Sequence, residues 1–214
     1  MSKIESVETA VAGAVNQRRQ DRRQQIFQAL HDCVIDKGYT RTSLADIAAR
    51  AGMTASHLLY YFRGKEDILE QYFDNVAEKF LARFHALAGA PAREQICHIA
   101  DLWFRGEASA RAEIGFMLEC FGAAVHDDVL RVTKSEFDLR CKRHLAGVFA
   151  GEDACAVADS RDAAEIAYSM MIGLRSAVYF DQDLDLDNAH RIFRDTLLRI
   201  AGADNNGVVA AQRR

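Results

Sequence analysis

Apolar residues recur at intervals of three and four positions along most of the chain, the spacing of a buried helix face. No segment shows the sustained alternation of apolar and polar residues that is typical of a β-strand. Pro91 is the one proline in 214 residues. The pattern predicts an all-α fold of about nine helices. Their approximate bounds are 18–37, 44–51, 54–62, 65–87, 92–106, 110–123, 127–149, 160–180 and 187–202.

The stretch SLADIAARAGMTASHLLYYFRGKEDIL, from Ser43 to Leu69, combines two short helical patterns separated by a glycine, Gly52. Leu58 and Phe62 lie four residues apart and are expected to pack inward. With the preceding helix, the two short helices describe a helix-turn-helix, whose second short helix enters the major groove of DNA. Its outer face is predicted to carry Thr54, Ala55, Ser56, His57, Tyr60 and Tyr61.

The distribution of charge favours a nucleic-acid partner for the N-terminal part alone. The chain has a net charge of −4, but from Gln17 to Lys65 nine basic residues stand against four acidic ones, a net charge of +5. The rest of the chain then carries −9. A basic module attached to an acidic body suits DNA binding by the module. A basic face that is merely solvated explains the charge alone equally well.

The stretch GYTRTSLADIAARAGMTASHLLYYFRGKEDIL resembles the N-terminal domain of the TetR family of bacterial transcriptional regulators. The shared pattern is Gly-aromatic-Thr, a short helix, Ala-Gly-hydrophobic-Ser/Thr, Leu-x-Tyr-x-Phe and x-x-Lys-Glu-x-Leu. The resemblance extends from about Arg22 to Leu69. The remaining residues resemble the family only in their helical character and length.

The resemblance implies which side chains meet DNA. Bases are expected to contact Ala55, Ser56, His57 and Tyr61, and the DNA backbone is expected to contact Thr42, Ser43, Thr54, Tyr60 and Lys65. Two positions depart from the family's pattern. Leu59 stands where a phosphate-binding tyrosine is frequent, which removes one expected contact, and Ser56 replaces a frequent glycine.

A single helix-turn-helix contacts one half-site, so a symmetric pair of subunits is expected. The last two predicted helices are apolar on more than one face, and such helices need two partners. We expect a homodimer through these helices; burial within one chain is the alternative. The predicted interface positions are Ala167, Gly173, Ala177, Phe193, Leu197 and Ile200.

The middle helices carry large apolar side chains, and the resemblance implies that a small-molecule inducer binds among them. A cavity with aromatic and methionine walls and a few polar groups suits a partly apolar ligand. Packing in the core is the alternative for each of these residues. The predicted lining comprises Trp103, Phe104, Phe116, Met117, Cys120, Phe121, Tyr168, Met171 and Arg175.

The expected organisation has four segments: a flexible tail at 1–17, a helix-turn-helix domain at 18–64, a ligand-binding and dimerisation domain at 65–204, and a flexible tail at 205–214. No apolar run approaches the roughly 18 residues of a membrane span, and no signal-peptide pattern opens the sequence. We therefore expect a cytoplasmic protein without a membrane partner.

Catalytic, cofactor and metal chemistry is not expected. The five cysteines form no CxxC motif and are interpreted as small apolar residues on buried helix faces. Cys141 and His144 lie three apart, but two ligands alone make a weak metal site. No nucleophile elbow, HExxH motif or phosphate-binding glycine loop is present, which disfavours an enzyme.

The sequence therefore predicts a dimeric repressor of a palindromic operator that an unknown small molecule releases. Ligand binding in the body is expected to favour a spacing of the two recognition helices that no longer fits half-sites about 34–36 Å apart. An activator, or a regulator of the same fold that needs no ligand, is the alternative.

Overall fold

The computed structural model describes residues 3–106, 110–151, 159–181 and 183–203. Within these ranges the chain forms nine α-helices and no β-strand, as the periodicity predicts. The helices are α1 (Lys3–Lys37), α2 (Leu44–Arg50), α3 (Ala55–Leu58), α4 (Lys65–Phe84), α5 (Ala92–Phe104), α6 (Arg111–His126), α7 (Asp128–Phe149), α8 (Ser160–Phe180) and α9 (Leu186–Ile200).

The chain divides into two compact units, Met1–Phe73 and Asp74–Arg214. The division falls within α4, whereas the sequence places the domain boundary at the start of this helix. In the part of the chain that is described, no helix is both long and apolar enough to cross a bilayer.

The first helix corrects one prediction. α1 begins at Lys3 and runs for 35 residues, so the flexible tail expected at 1–17 is helical from Lys3 onward. The physical reason is composition, because this segment has several alanines, which are strong helix formers, and no proline to end the helix. The second expected tail, at 205–214, lies outside the described residues.

The core of the first unit joins α1, α2, α3 and the start of α4. Ile26 and Leu30 of α1 are completely buried, as is Ile47 of α2. The ring of Phe27 lies 5.5 Å from that of Phe62 and 5.8 Å from that of Tyr72, measured between centroids. Apolar residues at helical spacing along α1 thus supply the surface on which the shorter helices pack.

Gly52 makes the turn between α2 and α3 possible. Its φ angle is +64°, in the left-handed region that favours glycine. The Gly52 N–H donates to the carbonyl of Ala49, and the Met53 N–H donates to that of Ala48, at 3.1 and 3.0 Å. This pair of hydrogen bonds is a Schellman motif, which satisfies the last carbonyls of α2 as the chain changes direction.

The core of the second unit is built from α5, α7, α8 and α9, together with the end of α4. Phe104 of α5 and Phe193 of α9 pack with ring centroids 5.4 Å apart. Cys141 of α7 and Ala163 of α8 are completely buried in the same cluster. One apolar face of each of these helices is therefore covered within this unit.

Three of the five cysteines are buried, as the sequence predicts. Cys33, Cys120 and Cys141 are buried free thiols, whereas Cys97 is half-buried. Burial raises the pKa of the Cys141 thiol to about 12, so the thiolate is disfavoured. Cys155 lies outside the described residues. In the described ranges no group of three or more His, Cys, Asp or Glu residues could hold a metal ion.

Replacing Gly52 with alanine tests the turn. We expect Gly52→Ala to lower the free energy of unfolding by about 1–2 kcal/mol, because an L-residue resists the left-handed conformation. Urea titration followed by circular dichroism measures the change. Gly122→Ala is the matched control, since Gly122 lies within α6 and a Cβ there would meet open space. The control should lose no stability, and equal losses in both variants would contradict the assignment.

Candidate DNA-binding site

The N-terminus of α2 is fixed by a capping box. The backbone N–H of Asp46 donates to the hydroxyl oxygen of Ser43, and the backbone N–H of Ser43 donates to the carboxylate of Asp46. The ammonium of Lys37 lies 2.6 Å from the same carboxylate. Lys37 and Ser43 together hold the pKa of Asp46 well below its usual range. Ser43 is exposed, at the position where a phosphate contact is predicted.

Thr42 does not match its predicted role. Its side chain is buried, with 2% of the residue exposed, and its hydroxyl donates to the carbonyl of Gly38 at 2.9 Å. The hydroxyl is therefore committed to the turn between α1 and α2, and the prediction that it contacts the DNA backbone is corrected. The N-cap of α2 is its neighbour Ser43.

α3 begins at a second cap. The hydroxyl oxygen of Thr54 accepts a hydrogen bond from the backbone N–H of His57 at 3.1 Å. The regular helix covers Ala55–Leu58, shorter than the predicted 54–62, and turns follow it up to Tyr61. Because Leu58 and Phe62 are both buried, the remaining side chains of this segment project outward.

The outward surface of α3 carries most of the predicted DNA-contacting residues. Ser56 and His57 are exposed, Ala55 is half-buried, and Tyr60 has 73% of its surface exposed. Tyr61 is half-buried between two rings, with centroids 5.5 Å from His57 and 5.2 Å from Tyr60. The imidazole of His57, which can donate or accept a hydrogen bond, thus lies beside the phenol groups of Tyr60 and Tyr61. This combination suits contacts to base edges and to phosphate oxygens.

Lys65 opens α4 and is held by a residue that the sequence analysis missed. Its ammonium donates to the carbonyl of Tyr39 at 3.1 Å and lies 4.2 Å from the centroid of the Tyr39 ring. An ammonium has three donors, so the two others can serve a phosphate. The contact joins residues 26 positions apart, and local periodicity carries no signal of it.

Arg23 is a second residue that the prediction omits. Its guanidinium lies 4.7 Å from the centroid of the Phe62 ring and donates to the side chain of Gln71. These contacts join α1 to the segment after α3 and to α4. Arg23 therefore helps to hold Phe62, which anchors α3 on the side that faces away from its exposed residues.

The predicted ligand-pocket residues fall into more than one group. Tyr168, Met171 and Arg175 share one face of α8, and the indole N–H of Trp103 donates to the carbonyl of Met171 at 2.8 Å. The Arg175 guanidinium is buried and lies 4.8 Å from the centroid of the Trp103 ring. Burial lowers the pKa of Arg175 to about 10, so it remains a cation at neutral pH.

A second group surrounds Lys134 of α7. Its ammonium lies 4.3 Å from the ring centroid of Phe121 and 6.0 Å from that of Tyr168, and 2.6 Å from the carboxylate of Asp138. The hydroxyl of Tyr168 donates to Asp138. Lys142 also lies over Tyr168, 5.4 Å from its centroid. These α7 residues were missed, although the spacing of Lys134 and Asp138 is typical of a helical ion pair.

The other predicted pocket residues are distributed more widely. Phe116 and Cys120 are buried in α6, Met117 is half-buried, and Phe104 packs against α9 through Phe193. A cavity of about 570 Å³ lies between the α4–α5 connection and the end of α7. None of the residues predicted to line the ligand pocket lines this cavity. Its walls include Ala88, Pro91, Gln95, His144 and Gly147.

Three of the predicted interface residues belong to the core of one chain. Ala167, Phe193 and Leu197 are completely buried within the second unit, so their side chains have no surface for a partner. The prediction is corrected at these positions, because apolar periodicity does not distinguish the two sides of such helices. Gly173 is exposed, and Ala177 and Ile200 are half-buried.

Two family models match the chain. Residues 26–72 match the model of bacterial regulatory proteins of the tetR family, and residues 92–202 match the C-terminal model of BetI-type transcriptional repressors. The first match contains the last third of α1, all of α2 and α3, and the start of α4. The second contains α5–α9.

Relatives and solved structures agree with these matches. The HTH-type transcriptional regulator BetI 2 of Chromohalobacter salexigens is 27% identical over 157 residues, which cover 72% of this chain and 75% of that protein. BetI of Escherichia coli strain UMN026 is 26% identical over 113 residues, which cover 51% of this chain and 58% of that protein.

The solved structures are similar in fold. A TetR transcription regulator from Haloarcula marismortui superposes with a TM-score of 0.75 at 18% identity, covering 86% of this chain and 98% of the other. A transcriptional regulator from Saccharomonospora viridis, in complex with choline, superposes with a TM-score of 0.70 at 17% identity, covering 83% and 96%.

Substitutions on α3 and α4 test the predicted contacts on duplex DNA. We expect His57→Ala to change the sequences that are selected from a random pool, because a base contact is lost. Tyr60→Phe and Lys65→Met should weaken binding to all sequences about equally, and Lys65→Met should reduce the salt slope of log K by about 1. Fluorescence anisotropy measures the affinities. An unchanged preference in His57→Ala would contradict its role as a base reader.

Proposed function

Because the chain belongs to the TetR family of bacterial regulatory proteins, we propose that it is a dimeric repressor that a small, partly apolar ligand releases from a palindromic operator. The family makes the protein a DNA-binding transcriptional regulator and not an enzyme. The repressor assignment is supported by the match of residues 92–202 to BetI-type transcriptional repressors.

The observation that carries the proposal is the outward surface of α3. A helix of four residues cannot persist on its own, and here it is capped by Thr54 and anchored by Leu58 and Phe62. Its exposed side chains contribute little to that anchoring, so they are available for a partner. A short helix presented in this way beside basic residues suits the major groove.

The proposed dimer forms through the outer face of α8. Ile166, Met170, Gly173, Ala177 and Phe180 follow one another at spacings of four and three, and none of them is fully buried. Ile166 and Phe180 are large apolar residues with exposed surfaces. Small residues at the centre of such a stripe allow two helices to approach closely. On α9, Ile192 and Ile200 are also half-buried apolar residues, so this helix too has apolar surface that one chain does not fully cover.

Gly173 offers a direct test of this interface. A Cβ at Gly173 would meet open space among the described residues, so the fold of one chain does not require glycine there. We expect Gly173→Glu to remain folded and to become monomeric at micromolar concentration, because the interface would then bury a charge. Size-exclusion chromatography with light scattering measures the mass.

Gly122→Glu is the matched control, since a Cβ at this helical position also meets open space. It should remain dimeric. Selection of DNA from a random pool tests the same proposal, and the wild-type protein should select a palindrome. A single unrepeated half-site, or a dimeric Gly173→Glu protein, would contradict the proposed symmetry.

The direction of regulation is tested by transcription in vitro. On a promoter that overlaps the selected operator, a repressor lowers the yield of transcript and its ligand restores it. An increase in transcript on addition of the protein would favour the alternative, an activator of the same fold.

The proposed ligand is a small molecule related to choline, which the Saccharomonospora viridis regulator binds. Aromatic faces attract quaternary ammonium groups, and the second unit has several aromatic residues among its buried side chains. Two rings of this unit, the buried Trp103 and the half-buried Phe121, already face a basic side chain of the chain itself, however. Arg175 lies over Trp103 and Lys134 lies over Phe121. Any ligand beside these rings meets the basic group, which repels a cationic ligand and does not repel a neutral one of the same shape.

We therefore expect 3,3-dimethyl-1-butanol, the uncharged isostere of choline, to release the operator at a lower concentration than choline. Fluorescence anisotropy of labelled operator measures the release. Lys134→Met is the informative variant, because it removes the cation over Phe121 and should narrow the difference between the two compounds. If choline released the wild-type protein from the operator at a lower concentration than 3,3-dimethyl-1-butanol, the expected repulsion would be contradicted.

A further inference from the structure

Leu59 is an apolar residue on the outward surface of α3. About half of its surface is exposed, at 51%, and its backbone N–H closes the helix by donating to the carbonyl of Ala55 at 3.0 Å. The buried residues on either side, Leu58 and Phe62, already supply the anchor of this segment. Leu59 therefore contributes little to the core, and the free protein exposes it to water.

The helical position of Leu59 places it with the predicted base readers. Residues three and four apart share a helix face, so Leu59 lies on the face of Ala55 and Ser56. Side chains on a helix point back towards its N-terminus, which directs Leu59 over the turn that these two small residues occupy. It is then the largest apolar group on the face that approaches the bases.

The chemistry of leucine limits what it can contact in the major groove. A leucine side chain neither donates nor accepts a hydrogen bond, so it cannot bind a phosphate oxygen. Base edges in the major groove present donors, acceptors and one apolar group, the C5 methyl of thymine. Contact with this methyl would remove apolar surface from water on both partners, which is favourable.

We propose that Leu59 is a specificity-determining residue that contacts the C5 methyl of a thymine in each operator half-site. The proposal rests on the proposed placement of α3 in the major groove. It assigns to Leu59 a preference for thymine that does not involve hydrogen bonds. The neighbouring His57 and Tyr61 are then left to read polar base edges.

Deoxyuridine provides the test, because it lacks the methyl group and keeps every hydrogen-bonding group of thymine. Each thymine of one half-site in the selected operator is replaced in turn by deoxyuridine, and affinities are measured by fluorescence anisotropy. At one position we expect the wild-type protein to bind roughly fourfold more weakly, the effect of losing one buried methyl-sized group.

Three variants assign this loss to Leu59. Leu59→Ala should bind the thymine and uracil operators equally, whereas Leu59→Met should keep the preference because it retains an apolar side chain of similar reach. Ile35→Ala is the control, since Ile35 is an exposed apolar residue of the same unit that lies on α1. It should behave like the wild-type protein. Circular dichroism confirms that each variant is folded.

Two results would overturn the inference. In the first, the wild-type protein binds every uracil-containing operator as tightly as the parent operator, which would mean that it contacts no thymine methyl. A preference that survives in Leu59→Ala belongs to another residue. Both outcomes leave operator binding itself intact, so they are distinct from a failure of the proposed function, in which no operator would be selected at all.

Discussion

The burial of Leu58 and Phe62 is the contact on which the DNA-binding surface depends. α3 is too short to be stable through its own hydrogen bonds, so its orientation is set by these two anchors. Phe62 packs against the ring of Phe27 on one side and the guanidinium of Arg23 on another. This packing sets the direction of every outward side chain of α3. A change at Leu58 or Phe62 would therefore move all of these side chains together.

The basic residues of the first unit have two roles, and only some of their charge is available to DNA. Lys37 pairs with Asp46, Arg50 pairs with Asp36, and Lys65 is held by Tyr39. These contacts close the turns that position α2 and α4. The number of basic residues in the sequence therefore overstates the cations that are free to meet a phosphate, because Lys37 and Arg50 are paired with carboxylates. The net charge is unaffected by these pairs, and Lys65 keeps its charge because its partner groups on Tyr39 are neutral.

Local signals in the sequence predicted most of the helices, because apolar spacing and caps are properties of neighbouring residues. The capping box at the start of α2 is such a local arrangement, because its two members, Ser43 and Asp46, lie three residues apart. The errors have two causes. Thr42 is buried in the turn between α1 and α2, where its hydroxyl donates to the carbonyl of Gly38, and a pattern of caps does not show which hydroxyl is buried. Phe193 is part of the core, since periodicity shows that a face is apolar and not which partner covers it. The predicted ligand site remains a prediction for the same reason.

The position of Trp103 has a spectroscopic consequence. It is the single tryptophan of the chain, and its indole lies in the second unit beneath the Arg175 guanidinium. Four of the six tyrosines, Tyr39, Tyr60, Tyr61 and Tyr72, lie in the first unit. Selectively excited indole emission therefore reports on the second unit alone, and it responds to any molecule that moves the charge above the ring. The native protein thus carries its own optical probe, and no label need be attached.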